Sequence, residues 1–573
     1  MSEPLAITTE RVDDLPLLVA QMEQMDLPNL LDHHFRVNGN WQGLSSGWVT
    51  TLWLAHLLSQ ADHRLSYVQP WAAARLHTLA ALTDQAVRAL DFSDDRLAWL
   101  LTAFSDDTVW IPFEATLNRQ VLAVYDLGRG PVRLDTTTAG GYWQITADGL
   151  FQFGHSKDHR PDLPQVKVLL AGLDPLALPL VTDVLGGQRA DDPLYLPAIA
   201  RVRRALGRNG GLLFIGDSKM GALDTRGGGV AGDDFYLCPR GDQQLPRDWH
   251  TVYLAGVRAG TQPLIPLTRQ RVDGATCTIA ESYECAVALE TALDGRVVAW
   301  TERRLVVRSL AGAQSAERKL RERLAAAEAA LGALGLRRGK ARLRDRAALA
   351  TAGADVLAAY QVADLLTVTV SETWHEREVR GYQSRPARVE RTWEFALTLA
   401  QDEAALAARI AGLGWRVYAT NAPAPELGLE AAVRAYRDEY LIEHSFGRLK
   451  GAPLSLAPCY LQRDEHVVGL GRLLALGLRV LSLVEFVTRR GLERTSSTLT
   501  GLYKGQPKQA TARPTAERVL AQFEGTTLTI IEQAGQRLYH VTPLSDVQQR
   551  ILALLEIPQT SYTKLAANLS QPP

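Results

Sequence analysis

The chain has 573 residues, of which 46% are hydrophobic and 22% are charged. This length exceeds that of an average domain and the composition is ordinary for globular proteins, so we expect several folded domains without extensive disorder. The 62 Lys and Arg residues nearly balance the 63 Asp and Glu residues, which excludes a uniformly basic nucleic-acid-binding protein and leaves only local basic surfaces.

Export and metal-binding cysteine motifs have no support in the sequence. The four cysteines form no CxxC pair, so neither a disulfide framework nor a structural zinc site is expected. The first 18 residues lack the basic and then apolar layout of a signal peptide, and no segment reaches about 18 uninterrupted apolar residues. We therefore expect a cytoplasmic protein without a membrane span.

Along the first half of the chain, the sequence pattern changes from one typical of helices to one typical of strands. Residues 1–125 are predicted to form short amphipathic helices, because apolar residues recur at helical spacing. Beyond Gly130 and Pro131 the β-branched and apolar runs predict a succession of strands interrupted by one helix. In chain order these are VRLDTTT, YWQITADG, VKVLLAGLD, ALPLVTDVL, the helix LPAIARVRRALGR, GLLFIG and FYLCPR. Such an order is typical of an α/β fold.

Residues 241–405 interrupt this order and give the impression of an insertion. They contain the β-rich stretches TCTIAESYECAVAL and RVVAWTERRLVVRSL, followed by an Ala, Glu and Arg-rich helix near 314–334. The remainder predicts a strand at WRVYATNAP, one long helix at ELGLEAAVRAYRDEYLIEHSFGRLKG and a leucine-rich helix from about 465 to 490. Past residue 496 we expect a linker, a helix, a strand pair around LTIIEQAGQRLYHV and a helix from Asp546.

Two aspartates follow apolar strands. Asp135 is predicted at the end of one strand and Asp217 directly after another, so both side chains would stand at the carboxyl edge of a sheet, where α/β proteins bind ligands. If the two strands are neighbours, the carboxylates can face a common point and suit a hard cation such as Mg²⁺. An aspartate at a strand end also commonly caps the next turn, and this alternative stays open.

Four polar residues of the long predicted helix share one spacing pattern. Tyr436, Glu439, Glu443 and Lys450 are separated by three, four and seven residues, which places them on one stripe of a continuous helix. A solvated helix face would show the same stripe, so spacing alone does not establish a site.

Taken together, LDTTT, IGDSKM and Y-x2-E-x3-E-x6-K resemble the three catalytic boxes of DDE transposases of the IS-four superfamily of insertion sequences. The strings DHRLSYV, DDRLAWLL, GHSKDHRPDLPQVK and RPTAERVLAQFEG extend the resemblance over nearly the whole chain and indicate the branch with an N-terminal helical domain. One departure stands out, because Glu439 occupies the place of a family arginine that holds DNA phosphate. Arg437 would face away on a helix, so Arg448 is the candidate substitute.

The resemblance implies a ribonuclease-H-like catalytic core interrupted by a mainly β insertion domain, with an α-helical N-terminal domain. The implied segments are an N-terminal region for DNA binding and dimerisation, the first part of the core, the insertion, the second part of the core and a C-terminal α+β region. Their bounds are 1–125, 126–240, 241–405, 406–495 and 496–573.

The resemblance also implies a site and a reaction. Asp135, Asp217 and Glu443 would be catalytic and hold two Mg²⁺ ions, for which Mn²⁺ can substitute. The residues implied to contact DNA are Tyr436, Lys450, Arg448, Lys157 and Arg160, with His155 beside them. A tryptophan of the insertion would stack on a flipped base, and Trp300, Trp374 and Trp393 are the candidates.

The implied activity is that of an endonuclease and strand-transfer enzyme. A homodimer on paired element ends would cut double-stranded DNA at terminal inverted repeats and join the element to target DNA, in a bacterial cytoplasm and associated with the nucleoid. Two alternatives remain open at this point: a structure-specific nuclease with the same core, and a catalytically inactive, transposase-derived DNA-binding protein.

Overall fold

The computed structural model describes residues 5–37, 39–128, 130–270, 275–335, 345–381, 386–533 and 536–567, and the chain divides into two compact units. Unit 1 comprises Met1–Cys238, Ala288–Thr301 and Asn421–Pro573, and unit 2 comprises Pro239–Val287 and Glu302–Thr420. The described residues form mixed α/β structure, which confirms the predicted class at that level.

Unit 1 begins with a strand that the sequence analysis missed, followed by the predicted helices. Ser45 and Asp106 cap two of these helices by accepting hydrogen bonds from the backbone of Trp48 and Thr108. The elements are β1 (Ala6–Arg11), α1 (Leu15–Gln24), α2 (Leu27–His34), α3 (Ser46–Gln60), α4 (Val68–Ala73), α5 (Leu76–Thr83), α6 (Asp94–Ser105) and α7 (Asp107–Val124).

A mixed five-stranded arrangement follows in unit 1. Its elements are β2 (Val132–Gly140), β3 (Gln165–Leu173), β4 (Leu178–Gly186), α8 (Tyr195–Leu206), β5 (Leu213–Gly216), α9 (Leu223–Ala231) and β6 (Phe235–Pro239). The strand order is β4-β3-β2-β5-β6, with β3 antiparallel to β2 and β4, β5 parallel to β2, and β6 parallel to β5. Each of these strands and α8 was predicted from the sequence.

The prediction of a strand at YWQITADG is wrong. Residues 141–149 form no strand, and Tyr142 is 83% exposed. The neighbouring Trp143 is buried instead by stacking on Phe151 at 4.5 Å between ring centroids, and its indole nitrogen donates to the carbonyl of Leu461 at 2.8 Å. The segment therefore gains its burial through one aromatic side chain, and its backbone takes no part in strand pairing.

Unit 2 contains two separate β arrangements with helices between their strands. Strands in the order β12-β9-β8-β7 form the first, and β10 pairs with β11 in the second. The expected β-rich insertion is thus also rich in helix. The elements are α10 (Trp249–Arg258), β7 (Ile265–Gln270), β8 (Thr276–Leu293), β9 (Arg296–Ser309), α11 (Leu310–Gly335), α12 (Arg346–Ala359), β10 (Leu366–Val379), β11 (Arg388–Gln401), α13 (Glu403–Ala411) and β12 (Trp415–Thr420). The end of β8 and the start of β9, within Ala288–Thr301, belong to unit 1.

The last part of unit 1 is built around one long apolar helix. The elements are α14 (Leu429–Arg437), α15 (Tyr440–Lys450), α16 (Asp464–Arg494), α17 (Ala516–Leu520), β13 (Thr527–Gln533), β14 (Gln536–Val541), α18 (Asp546–Leu554) and α19 (Thr560–Ala567). Strand β13 lies between β1 and β14, which confirms the predicted strand pair and adds β1 to it.

Helix α16 forms the core of this unit. Among the described residues it alone is long and apolar enough to span a membrane, but 94% of its most apolar window is buried inside the protein, as expected for a core helix. A side chain at Gly469 would collide with the backbone carbonyl of Leu101 in α6, so glycine permits the close approach of the two helices.

Candidate active site

Asp135 and Asp217 lie side by side in unit 1. Strand β2 pairs in parallel with β5, with Leu134 opposite Gly216, so the two aspartates are the next residues along adjacent strands. Neighbouring strands are about 4.8 Å apart. The condition stated in the sequence analysis, that the two strands be neighbours, is therefore met. The expectation that Asp135 ends its strand is wrong, because β2 continues to Gly140 through its pairing with β3.

The Asp135 carboxylate is in an environment that disfavours an uncompensated charge. Burial raises its pKa to about 6, and nearby Asp217 adds to this effect, whereas Lys157 and the backbone of Thr136 oppose it. The carboxylate oxygen Oδ1 accepts hydrogen bonds from the Lys157 ammonium at 3.1 Å and from the Thr136 backbone at 2.7 Å. Asp135 is thus a group that favours a proton or a cation as its partner.

Asp217 is oriented by a buried tyrosine. Its Oδ1 accepts hydrogen bonds from the Tyr195 hydroxyl at 2.8 Å and from the Lys219 backbone at 2.9 Å. Tyr195 is fully buried at the start of α8, and burial together with Asp217, Asp135 and Asp191 raises its pKa well above the usual value. The phenol therefore keeps its proton and remains a hydrogen-bond donor to Asp217.

A second carboxylate network, centred on Asp191, contacts Thr136, which follows Asp135 in β2. Asp191 accepts hydrogen bonds from the Thr136 hydroxyl at 3.0 Å and from the Lys167 ammonium at 2.5 Å. Burial raises the pKa of Asp191, but the contacts with Lys167 and Thr136 outweigh it and leave the pKa below the usual value. Asp191 is therefore ionised and fixes the Thr136 side chain next to Asp135. Sequence analysis did not identify Tyr195 or Asp191, since neither belongs to a recognisable motif.

The single long helix predicted around the third acid is in fact two helices, α14 and α15. At their junction the Glu439 backbone donates to the carbonyl of Tyr436 at 3.1 Å, whereas a continuous helix would use the carbonyl of Ala435. That carbonyl instead accepts a hydrogen bond from Arg133 at 2.7 Å. A long-range contact thus interrupts the helix, so the prediction of one continuous helix is wrong. Tyr436 nevertheless donates a hydrogen bond to Glu439, and Glu443 lies near enough to Glu439 to influence its pKa.

Arg133 anchors this junction to the strand that carries Asp135. It is 1% exposed and lies in β2, two residues before the aspartate. Its guanidinium makes two hydrogen bonds to the Asp174 carboxylate, both at 2.7 Å, in addition to the bond with Ala435. Arg133 therefore links β2 to the end of α14 by the hydrogen bond to Ala435, while the buried ion pair with Asp174 holds its guanidinium in place.

Glu439 lies near enough to Asp217 for the two acids to influence each other. Glu439 is half-buried, and burial raises its pKa, with contributions from Glu443 and Asp217 and an opposing hydrogen bond from Tyr436. Glu443 is exposed. Among the described residues, no three or more His, Cys, Asp or Glu side chains lie close enough together to hold a metal ion. The structure thus brings Asp135 and Asp217 together without completing a three-acid cluster with Glu443.

The residues expected to contact DNA lie in different settings. Lys450 donates to Asp158 at 2.5 Å, and Arg160 forms an exposed ion pair with Asp162. Tyr436 is 9% exposed, and His155 is exposed. His155 and Arg160 lie in the loop between β2 and β3, and Tyr436 and Lys450 lie in the helices α14 and α15.

Arg448 is occupied by buried ion pairs. Its guanidinium contacts Glu485 in α16 and Glu517 in α17, the latter at 2.7 Å. The side chain is 7% exposed, and its pKa is raised by the two carboxylates despite burial. The geometry gives Arg448 a role in joining helices and offers no support for a contact with DNA phosphate.

The three candidate tryptophans differ sharply in exposure. Trp300 donates from its indole nitrogen to the Tyr236 hydroxyl at 2.9 Å and is half-buried. Trp374 and Trp393 stand directly opposite each other on β10 and β11 and are 51% and 58% exposed. The exposed pair is therefore the more accessible stacking surface.

Comparison with models of known protein families finds no match, and comparison with curated protein sequences finds none either. The resemblance carried by the three sequence boxes accordingly remains a prediction.

Proposed function

We propose that the chain is a metal-dependent DNA transposase with Asp135, Asp217 and Glu443 as its catalytic acids. The observation that carries the proposal is the side-by-side placement of Asp135 and Asp217 on parallel neighbours β2 and β5. Three consecutive antiparallel strands followed by two parallel ones also suit the ribonuclease-H-like core that we propose for this unit. The proposed third acid, Glu443, lies in the first turn of helix α15.

The chemical type of the candidate ligands suits a divalent cation. All candidate ligands are carboxylate oxygens, which Mg²⁺ prefers, and Asp135 lies in surroundings that favour a cationic partner. Glu439 adds an acid on the side of Asp217, where the family pattern has an arginine. When bound, two Mg²⁺ ions activate the attacking oxygen and stabilise the leaving oxygen of a phosphodiester.

The protein's own groups position these acids. Tyr195 orients the Asp217 carboxylate, and Arg133 holds the junction that carries Glu439 and precedes Glu443. Lys450 lies seven residues beyond Glu443 and supplies an ammonium for a DNA phosphate once it leaves Asp158. We propose double-stranded DNA with terminal inverted repeats as the substrate, bound by a homodimer on paired ends.

A catalytically inactive, transposase-derived DNA-binding protein is the second candidate. It is favoured by the exposed position of Glu443 outside an acidic cluster. In such a protein the aspartate pair would persist as a structural remnant, and DNA binding would not depend on a divalent cation.

The deciding experiment incubates purified protein with paired DNA ends from the flanks of its gene, Mg²⁺ and a target plasmid. Wild type is compared with Asp135→Asn, Glu443→Gln and Glu439→Gln, and with Asp192→Asn as a control for loss of an exposed acid nearby. Cleaved and joined products that disappear in Asp135→Asn and Glu443→Gln but persist in the control support a transposase. Cleavage without joining identifies a nuclease instead, and DNA binding without cleavage identifies an inactive binding protein.

A further inference from the structure

The loop between β2 and β3 places a lysine ammonium on a candidate metal ligand. Lys157 Nζ lies 3.1 Å from Asp135 Oδ1 and also donates to the backbone carbonyl of Thr136. The Lys157 backbone donates to the Thr138 hydroxyl at 3.0 Å, which holds this part of the loop against β2. The ammonium thus lies where a metal ion bound to the Asp135 carboxylate would have to approach.

The residues on either side of Lys157 hold the loop in this position. The carbonyl of His155 accepts a hydrogen bond from the Gln165 side chain at 3.1 Å. Asp158 accepts from the Lys450 ammonium at 2.5 Å, so the loop is tied to the end of α15 as well. Two ammonium groups near the acids are therefore engaged with carboxylates of the protein.

An ammonium and a divalent cation cannot both approach Asp135 Oδ1 closely, because they repel each other and compete for the same lone pairs. We propose that Lys157 is a displaceable counter-ion of Asp135, which positions the carboxylate without metal and is expelled when a divalent cation binds. The inference rests on the proposed function in one respect, the binding of a cation at Asp135.

Displacement would change the loop as well as the lysine. Movement of Lys157 carries Asp158 with it and separates Asp158 from Lys450. Both ammonium groups then become available to an anionic partner such as a DNA phosphate. Cation binding would thereby precede and prepare the binding of the phosphate, and Lys157 acts first as a positioning residue.

The test measures Mn²⁺ binding to the full-length protein by calorimetry in the absence of DNA. Lys157→Met removes the competing ammonium, so we expect about tenfold tighter Mn²⁺ binding. This is the gain expected if Asp135 is free of Lys157 in only about a tenth of the wild-type molecules. Lys219→Met is the matched control, because Lys219 is an exposed lysine two residues from Asp217 without a contact to Asp135. We expect less than about a threefold change in this control, since an exposed charge is screened by solvent.

Hydrogen exchange of residues 154–163 provides a readout that does not depend on affinity. Mn²⁺ should raise exchange in this segment of the wild type, and Lys157→Met should show raised exchange before metal is added. Thermal unfolding of each variant checks that it is folded.

The outcomes separate the inference from the function on which it rests. Absence of Mn²⁺ binding in the wild type and in Lys157→Met, or unaltered binding in Asp135→Asn, overturns the metal site itself. Equal affinity of wild type and Lys157→Met overturns the displacement alone. An equal gain in Lys157→Met and Lys219→Met also overturns it, because a general charge effect then accounts for the result.

Discussion

Arg133 is the residue whose replacement tests most directly how the scaffold supports the acids. Its guanidinium is buried, pairs with Asp174 through two hydrogen bonds of 2.7 Å and holds the Ala435 carbonyl at the end of α14. In Arg133→Met the Asp174 carboxylate, which is only 12% exposed, remains without its cation. The α14–α15 junction loses its link to β2 in the same variant.

Removal of one partner from a buried ion pair typically costs about 3–5 kcal/mol. We expect a loss of this size in the free energy of unfolding, since the lost bond to Ala435 overlaps with the same network and does not add in full. Mn²⁺ affinity should also fall, because Glu439 lies in the released junction. Urea unfolding and calorimetry measure the two effects.

Two further variants give the prediction its controls. Arg160→Met breaks an arginine–aspartate pair with nearly the same hydrogen-bond geometry but on the surface, at 2.8 and 2.7 Å, so little stability should be lost. Arg133→Met combined with Asp174→Leu removes both buried charges and should recover most of the stability without recovering Mn²⁺ affinity. Equal losses in Arg133→Met and Arg160→Met would refute the reasoning.

Three further outcomes are expected. Burial raises the pKa of Asp14 to about 6 from 3.8, so the folded state favours the protonated acid and the free energy of unfolding falls as pH rises from about 4 to 7. Asp14→Asn should remove up to about 3 kcal/mol of this fall, as measured by urea unfolding across this pH range. The same pH profile in wild type and variant would contradict the prediction. Arg448→Met should lower the free energy of unfolding by about 3–5 kcal/mol while DNA affinity of the folded protein changes little. Unchanged stability with weaker DNA binding would instead support the phosphate contact expected from the sequence. Combined Trp374→Ala and Trp393→Ala should cost about 1 kcal/mol of stability or less but weaken hairpin DNA binding by about 1–3 kcal/mol if a base stacks there. Trp300→Ala, at a half-buried tryptophan, is the comparison, and unchanged binding in the double variant would exclude the pair.

Local patterns in the sequence predicted most strands and associated Asp135 and Asp217 with two different strands. Runs such as VKVLLAGLD are apolar enough to bury both faces, so their strand identity depends little on partners. The segment YWQITADG carries a similar local signal but buries Trp143 against Phe151 instead. In that case a tertiary contact outweighed the β propensity of the segment.

The site was less predictable because its geometry depends on residues far apart in sequence. No local signal in α14 and α15 reveals that Arg133, about 300 residues earlier, takes the Ala435 carbonyl and divides the helix. Tyr195 is an ordinary helix residue in the sequence, and only the fold shows its hydroxyl on Asp217. Glu439 was recognised as a departure from the family pattern, but its half-buried position near Asp217 needed the structure.

The pairing of β1 with β13 has a consequence for synthesis of the chain. Ala6 pairs with Glu532, so a strand made early has its backbone partner only after more than five hundred further residues have been added. At a translation rate of about 5–20 residues per second, the wait is roughly half a minute or longer. During this time β1 presents an open edge on the ribosome, and unit 1 can close only when its last segment emerges.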